Sequence, residues 1–135
     1  LIKNSYRLAE DMIKVMDTPF KVRVIMENLS KDVSGAYGAE AAYLIILDSY
    51  DKGEFEAVET KVYAFSDAGT GQMYWLAKSF IVLGDSFVER GEYEQAKATF
   101  ESVRDGYTPS GNDDDVLDNV NIRLKKLAEL MAEEI

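Results

Sequence analysis

The chain has 135 residues, of which 47% are hydrophobic and 11% aromatic, and its formal net charge is −10. This length and composition fit one folded domain, because disordered chains combine high net charge with low hydrophobicity. The negative charge argues against nucleic acid or a bare anionic membrane surface as a partner, since both repel an acidic protein.

The sequence contains neither Cys nor His. Without thiol or imidazole groups it lacks the side chains of Ser-His-Asp and Cys-His catalysis and the preferred ligands of most transition metals. No stretch approaches the roughly 20 apolar residues that a membrane-spanning helix needs. We therefore expect no enzyme, no cofactor, no metal site and no direct membrane insertion. A carboxylate-based hydrolase is the enzyme alternative, but no paired-carboxylate motif supports it.

The chain begins at Leu1 with no initiator Met, basic region or signal-like apolar stretch. We therefore expect it to be an excised piece of a longer protein.

Few prolines, and glycines that fall between apolar-periodic segments, predict helices joined by short turns, about seven in all. The first predicted helix covers residues 5–16. Thr18 offers an N-cap and Pro19 a first helical position for the second, over residues 20–33. The β-branched residues early in this segment would also suit a strand, but we favour a helix because no second strand is visible for it to pair with.

From residue 39 onward, apolar residues recur at steps of three and four, which is typical of amphipathic helices. The predicted helices run over residues 39–51, 54–66, 75–90, 92–104 and 113–134.

The central helix pairs repeat one another at a step of 38 residues. Gly-Glu-Phe-Glu at 53–56 recurs as Gly-Glu-Tyr-Glu at 91–94, and Val58 corresponds to Ala96. A period of this length, made of two helices, indicates a solenoid. Because Gly84 and Ala96 are small, we expect the helices of the second pair to cross there in close contact, with phenylalanines filling the surrounding space.

The segment from residue 80 to 109 resembles the tetratricopeptide-repeat consensus position by position, with the closing proline one place late. The matching residues are Phe80, Leu83, Gly84, Phe87, Gly91, Tyr93, Ala96, Phe100, Val103 and Pro109. The resemblance implies an all-α fold in which antiparallel helix pairs stack as a right-handed solenoid.

The resemblance also implies how a single domain over residues 1–135 is divided. Residues 1–38 hold N-terminal helices that match weakly, 39–68 form a degenerate repeat, 74–107 form the best-matching repeat, and 113–135 form a capping helix. The wider likeness is to the C-terminal region of large tetratricopeptide proteins of bacterial cell envelopes. It implies a scaffold in the periplasm or at the outer membrane.

In this family the first helix of each pair lines a concave groove, so the resemblance implies a partner-binding face. Its residues here would be Glu40, Tyr43, Leu47, Tyr50, Lys78, Ile81, Asp85 and Val88. Such a face would suit an extended or helical peptide with apolar anchors and some basic character. The alternative is that its apolar members are core residues packed against neighbouring helices. Family members that grip a C-terminal carboxylate use Lys and Asn on this face, whereas Tyr, Leu, Ile and Asp stand at the comparable positions here, so we do not expect such a clamp.

Two short motifs have competing interpretations. The acidic run 113–115 with Asp118 could ligate calcium, but its spacing fits no EF-hand, and we expect it to cap the last helix and complement its dipole. The segment 68–71, Ala-Gly-Thr-Gly, could be a phosphate-binding turn. No strand precedes it and the P-loop lysine is missing, so we expect a loop between helices.

The last helix carries a nearly heptad apolar stripe of Leu117, Val120, Leu124, Leu127 and Met131. The stripe could form a homodimer seam, but we favour a covering role over the final repeat, with Arg123 and Lys126 on a charged face turned to water. The predicted function is a scaffold that binds a protein or peptide in its groove. The alternative is a structural terminal domain that self-associates through the last helix.

Overall fold

A computed structural model of the protein describes the backbone of residues 18–134 and the side chains of residues 22–134. This part of the chain contains six α-helices and no strand. The helices are α1 Thr18–Leu29, α2 Ala36–Asp51, α3 Phe55–Asp67, α4 Met73–Glu89, α5 Tyr93–Gly106 and α6 Val116–Glu133. The all-α prediction is confirmed for these residues, including a helix and not a strand in the segment after Pro19. The helix predicted over residues 5–16 lies outside the described residues.

Two predicted helix ends are displaced for the same physical reason, a local hydrogen bond that an aspartate side chain accepts. The helix predicted to reach residue 33 ends at Leu29, and Asp32 then accepts hydrogen bonds from the Ser34 N–H at 3.0 Å and hydroxyl at 2.6 Å. The helix predicted from residue 113 begins at Val116, whose N–H donates to Asp114 at 3.0 Å. Such bonds offer the backbone an alternative to helical pairing.

Each helix packs against the next one along the chain, and α4 also contacts α2 and α6. The even-numbered helices therefore lie side by side, with α4 in the middle. The main core gathers around α4 and includes the fully buried Ile46, Leu83, Phe100 and Leu127. A separate small cluster of Ile25, Leu29 and Ala41 packs α1 against α2.

The 38-residue sequence repeat is also a repeat of one turn. Gly53 follows α2 with φ 74°, and Gly91 follows α4 with φ 73°. In both turns the glycine N–H and the next N–H donate to carbonyls near the end of the preceding helix, as in a Schellman motif. The residue after each glycine makes the equivalent bond: the Glu54 N–H donates to the Ser49 carbonyl at 2.9 Å, and the Glu92 N–H donates to the Phe87 carbonyl at 2.8 Å. Glycine recurs because this left-handed conformation strains residues that have a Cβ.

The predicted close approach of α4 and α5 at Gly84 is confirmed, and the contacting group is the ring of Phe100. A Cβ added at Gly84 would lie 2.7 Å from Cζ and 2.8 Å from Cδ1 of that ring. Ala96 is completely buried, and Phe87 is buried in the same core.

Helix α6 places its apolar stripe against α4 and α5. Of the stripe, Val120 and Leu127 are buried, Leu124 and Met131 pack partly buried beside them, and Leu117 is half-buried outside the core cluster. Ile122, on the outer side of the helix, is 65% exposed. Most of the stripe is therefore packed within the chain, as a covering role requires.

Segment 68–71 is the loop between α3 and α4, as expected from the sequence. The buried Thr70 hydroxyl donates to the Val33 carbonyl, and Gln72 Nε2 donates to the Ser34 carbonyl at 3.2 Å. These bonds join this loop to the one between α1 and α2. No helix within residues 18–134 is long and apolar enough to cross a membrane.

Candidate partner-binding groove

Helices α2, α4 and α6 together line a groove on one side of the molecule. A first cavity of about 330 Å³ lies among all three helices, and a second of about 310 Å³ continues toward the end of α6. Tyr50, Asp85 and Arg123 line both cavities. We call the two cavities together the α2–α4–α6 groove.

The groove contains nearly all of the residues that the sequence predicted for the partner-binding face. The first cavity is lined by Tyr43, Leu47, Tyr50, Lys78, Ile81 and Asp85, and the second by Val88. Glu40 is half-buried on α2 and lines neither cavity.

The apolar groove residues also contribute to the core. Ile81 is buried, while Tyr43, Leu47, Tyr50 and Val88 are partly buried and pack against the main core cluster. Since the same side chains line the cavities, the two interpretations of these residues are compatible. One side of each residue supports the fold, and the other forms the groove wall.

An ion pair between Asp85 on α4 and Arg123 on α6 lies where the two cavities meet. Arg123 Nε donates to Asp85 Oδ1 at 2.8 Å, and Arg123 Nη1 donates to the Asn119 carbonyl at 3.2 Å and to its Oδ1 at 3.3 Å. Burial raises the pKa of Asp85, and the hydrogen bond and charge of Arg123 oppose that rise. Arg123 therefore offsets part of the cost of placing a carboxylate at a half-buried site.

The prediction that Arg123 faces water is wrong, and Lys126, although exposed, lines the second cavity. Residues 119, 123 and 126 lie at helical steps beside the buried stripe, so they border the groove and not the outer surface. The sequence offered a weak signal, the i, i+4 spacing of Asn119 and Arg123. It could not identify Asp85 as the partner across 38 residues of chain.

A second ion pair joins Lys78 on α4 to Asp115 in the turn before α6. Lys78 Nζ lies 2.9 Å from Asp115 Oδ2, and the Tyr74 hydroxyl donates to Asp115 Oδ1 at 2.9 Å. Burial alone would lower the pKa of Lys78, but the hydrogen bond to Asp115 and the neighbouring Tyr74 and Asp115 together raise it. Both cations that line the first cavity, Lys78 and Arg123, are thus paired with aspartates.

Within the acidic run before α6, Asp114 accepts hydrogen bonds from other groups of the protein. Asp114 accepts bonds from the Tyr107 hydroxyl, from the Ser110 N–H at 3.0 Å and from the Val116 N–H at 3.0 Å. Burial and the bond to Asp114 raise the pKa of Tyr107 to about 12. Within residues 18–134, no group of acidic side chains is arranged to hold a metal ion. The run fixes the start of α6, close to the capping role that the sequence favoured.

Acid should loosen this attachment of α6. The hydrogen bond from Lys78 lowers the pKa of Asp115, so the charged form stabilises the fold above the ordinary aspartate pKa of about 4 and this contribution is lost as pH falls through and below it. We expect Asp115→Asn to be less stable than the original protein at pH 7 and to lose less further stability between about pH 5 and pH 3. Urea denaturation across that range tests this, with the exposed Asp118→Asn as the control. Equal acid sensitivity of the Asp115 variant and the original protein would contradict the expectation.

Comparison with protein-family models, with curated proteins and with solved structures found no match to this chain. The case for its function therefore depends on the geometry of the α2–α4–α6 groove.

Proposed function

We propose that the protein is a non-enzymatic interaction scaffold that binds a peptide or a segment of another protein in the α2–α4–α6 groove. The observation that carries the proposal is the continuity of the two cavities, about 330 and 310 Å³, across three helices. Their walls combine apolar and aromatic side chains with a few polar groups, which is the usual character of a binding site. Apolar anchors in such a groove supply most of the binding energy of a peptide.

We further propose that the helices form a tetratricopeptide-type solenoid. The pairs α2–α3 and α4–α5 would be two repeats, and α6 would be the first helix of the next unit. Three observations support this: the repeated turn at Gly53 and Gly91, the contact of Gly84 with Phe100, and the packing of α4 against both α2 and α6. In such an arrangement the even-numbered helices line the concave side, where the groove lies.

Self-association through the last helix is less well supported. The apolar stripe on which that alternative depended packs against α4 and α5, so a homodimer would need the remaining outer face of α6. Light scattering at two protein concentrations distinguishes a monomer from a concentration-dependent dimer.

The groove can be tested by filling it. Leu47 is half-buried on α2 and lines the first cavity, so Leu47→Phe should occupy part of the space needed by a partner. We expect peptides selected from a displayed random library against the original protein to bind this variant about tenfold more weakly or worse, because their anchor side chain is excluded.

The matched control is Leu44→Phe. Leu44 is also half-buried on α2, but it lines neither cavity of the groove. Selected peptides should bind this control like the original protein, and thermal denaturation should show that both variants fold. Equal binding to the Leu47 variant would mean that the peptides bind elsewhere, and the proposed function would lose its site.

A further inference from the structure

The ion pair at the junction of the two cavities is only partly satisfied within the protein. Asp85 uses Oδ1 to accept from Arg123, and Arg123 uses Nε and Nη1. Among residues 22–134, Asp85 Oδ2 and Arg123 Nη2 have no hydrogen-bond partner. No fully buried side-chain polar atom in this range lacks a partner, so each of these two atoms keeps some exposure to water. Because both residues line the two cavities, the groove offers an acceptor on Asp85 and a donor on Arg123.

An acceptor next to a donor matches the main chain of an extended polypeptide. In a strand, the N–H and C=O of one residue point to the same side, and a neighbouring strand residue exchanges two hydrogen bonds with them. A carboxylate oxygen and a guanidinium nitrogen side by side can satisfy the same two groups. A helical peptide could not use them, because its main-chain groups are already bonded internally.

The pairing of charges also limits which side chains the groove can accept. Lys78 is paired with Asp115, and Arg123 with Asp85, so a charged side chain entering the first cavity would lose water without gaining a free counter-ion. The first cavity instead offers Leu47 and Ile81, and the second offers Val88, Leu127 and Leu130 beside the exposed Glu89 and Lys126. The aliphatic members of both walls are contacts for apolar side chains.

We infer that Asp85 and Arg123 hold the main chain of an extended peptide segment whose side chains in the first cavity are uncharged, Asp85 accepting a backbone N–H and Arg123 donating to a backbone carbonyl. Apolar side chains of the segment enter the cavities on either side of the pair. Since alternate residues of an extended chain face the same way, the apolar residues of the segment occur at every second position. The inference rests on the proposed function and adds to it the conformation and chemistry of the partner.

The test uses acetylated and amidated hexapeptides in which leucine alternates with serine. Binding is measured by calorimetry and by the fluorescence of Trp75, the only tryptophan, whose ring centroid lies 5.5 Å from that of Tyr43 in the groove. A scan places one N-methyl group at each amide in turn. We expect methylation at the amide that faces Asp85 to weaken binding about tenfold, as the loss of a charge-assisted hydrogen bond implies. Methylation at amides that face water should have little effect.

Exchange of the two charges provides a matched variant of the protein. Asp85→Arg combined with Arg123→Asp keeps an ion pair but reverses donor and acceptor, so we expect about tenfold weaker peptide binding with the fold retained. Asp48→Lys combined with Lys52→Asp exchanges an exposed pair, 2.8 Å apart, and should leave binding unchanged. If the first exchange prevents folding, the N-methyl scan on the original protein decides alone.

The possible outcomes separate the two proposals. An absence of any N-methyl effect, tighter binding of a peptide with lysine or glutamate at the position that enters the first cavity, or tighter binding of a stapled helical leucine peptide would overturn the inference while leaving the groove as a binding site. Hexapeptide binding that is unaffected by Leu47→Phe would overturn the proposed site as well. No binding by any of these peptides up to about 1 mM would also overturn the inference.

Discussion

Gly84→Ala is expected to reduce the free energy of unfolding by about 3 kcal/mol, at the upper end of the range for overpacked cores. The added methyl group would lie 2.7 Å from Cζ of Phe100, well inside van der Waals contact. The Phe100 ring is only 1% exposed and lies in the main core, where it also forms part of the wall of the second groove cavity, so avoiding the methyl group requires the ring to shift toward that cavity and give up core contacts. The clash outweighs the roughly 0.5–1 kcal/mol that alanine ordinarily gains over glycine within a helix. Urea denaturation measures the change.

A second substitution identifies the ring as the cause. Phe100→Leu removes the atoms that the new methyl group would strike, so Gly84→Ala should cost at least about 1 kcal/mol less in that background than alone. Gly106→Ala is the control, because it adds the same group to α5 where no atom lies within 4 Å. It should be neutral or slightly stabilising. Strictly additive effects of the two core substitutions would show that Gly84 is small for another reason.

The contact of Gly84 with Phe100 could be predicted because its signals are local. A glycine inside an otherwise apolar helix, and an aromatic residue at helical spacing after the fully buried Ala96, indicate a close crossing within one helix pair. The same holds for the turn glycines Gly53 and Gly91, which break a periodic pattern at equivalent positions. Helix type followed from such patterns, whereas the candidate groove face was implied by the family resemblance.

Features that depend on distant partners could not be predicted in the same way. Arginine side chains usually face water, and only the contact of Arg123 with Asp85 on another helix reveals that this one lies in the groove. The aspartates at 32 and 114 displaced two helix ends through local bonds that compete with helix formation, and their residue type permits either outcome. Glu40 was assigned to the groove because the family resemblance implies that the first helix of each pair lines it, but the cavities do not extend that far along α2.

Gly38→Ala is expected to have a comparable or larger effect, about 3 kcal/mol or more, confined to one end of the structure. A Cβ at this position would overlap the Asp32 carbonyl and lie 2.8 Å from the Leu29 carbonyl oxygen. Both groups belong to the backbone where α1 ends, so no side-chain rotation relieves the clash. Helix α1 must shift away from α2, and among the described residues the apolar contacts that oppose this movement are a small cluster of Ile25, Leu29 and Ala41 with Met26 beside it.

The expected result of Gly38→Ala is therefore local and not global unfolding. Hydrogen exchange followed by mass spectrometry should show that the amides of α1 lose protection, while those of α4 and α5 around the main core keep it. Gly84→Ala should instead raise exchange throughout α4 and α5. Gly71→Ala, which places a methyl group in open space in the loop before α4, is the control and should leave both regions protected. Loss of protection in α4 to the same degree as in α1 would mean that α1 is an integral part of the main core, because its displacement would then unfold the centre of the molecule.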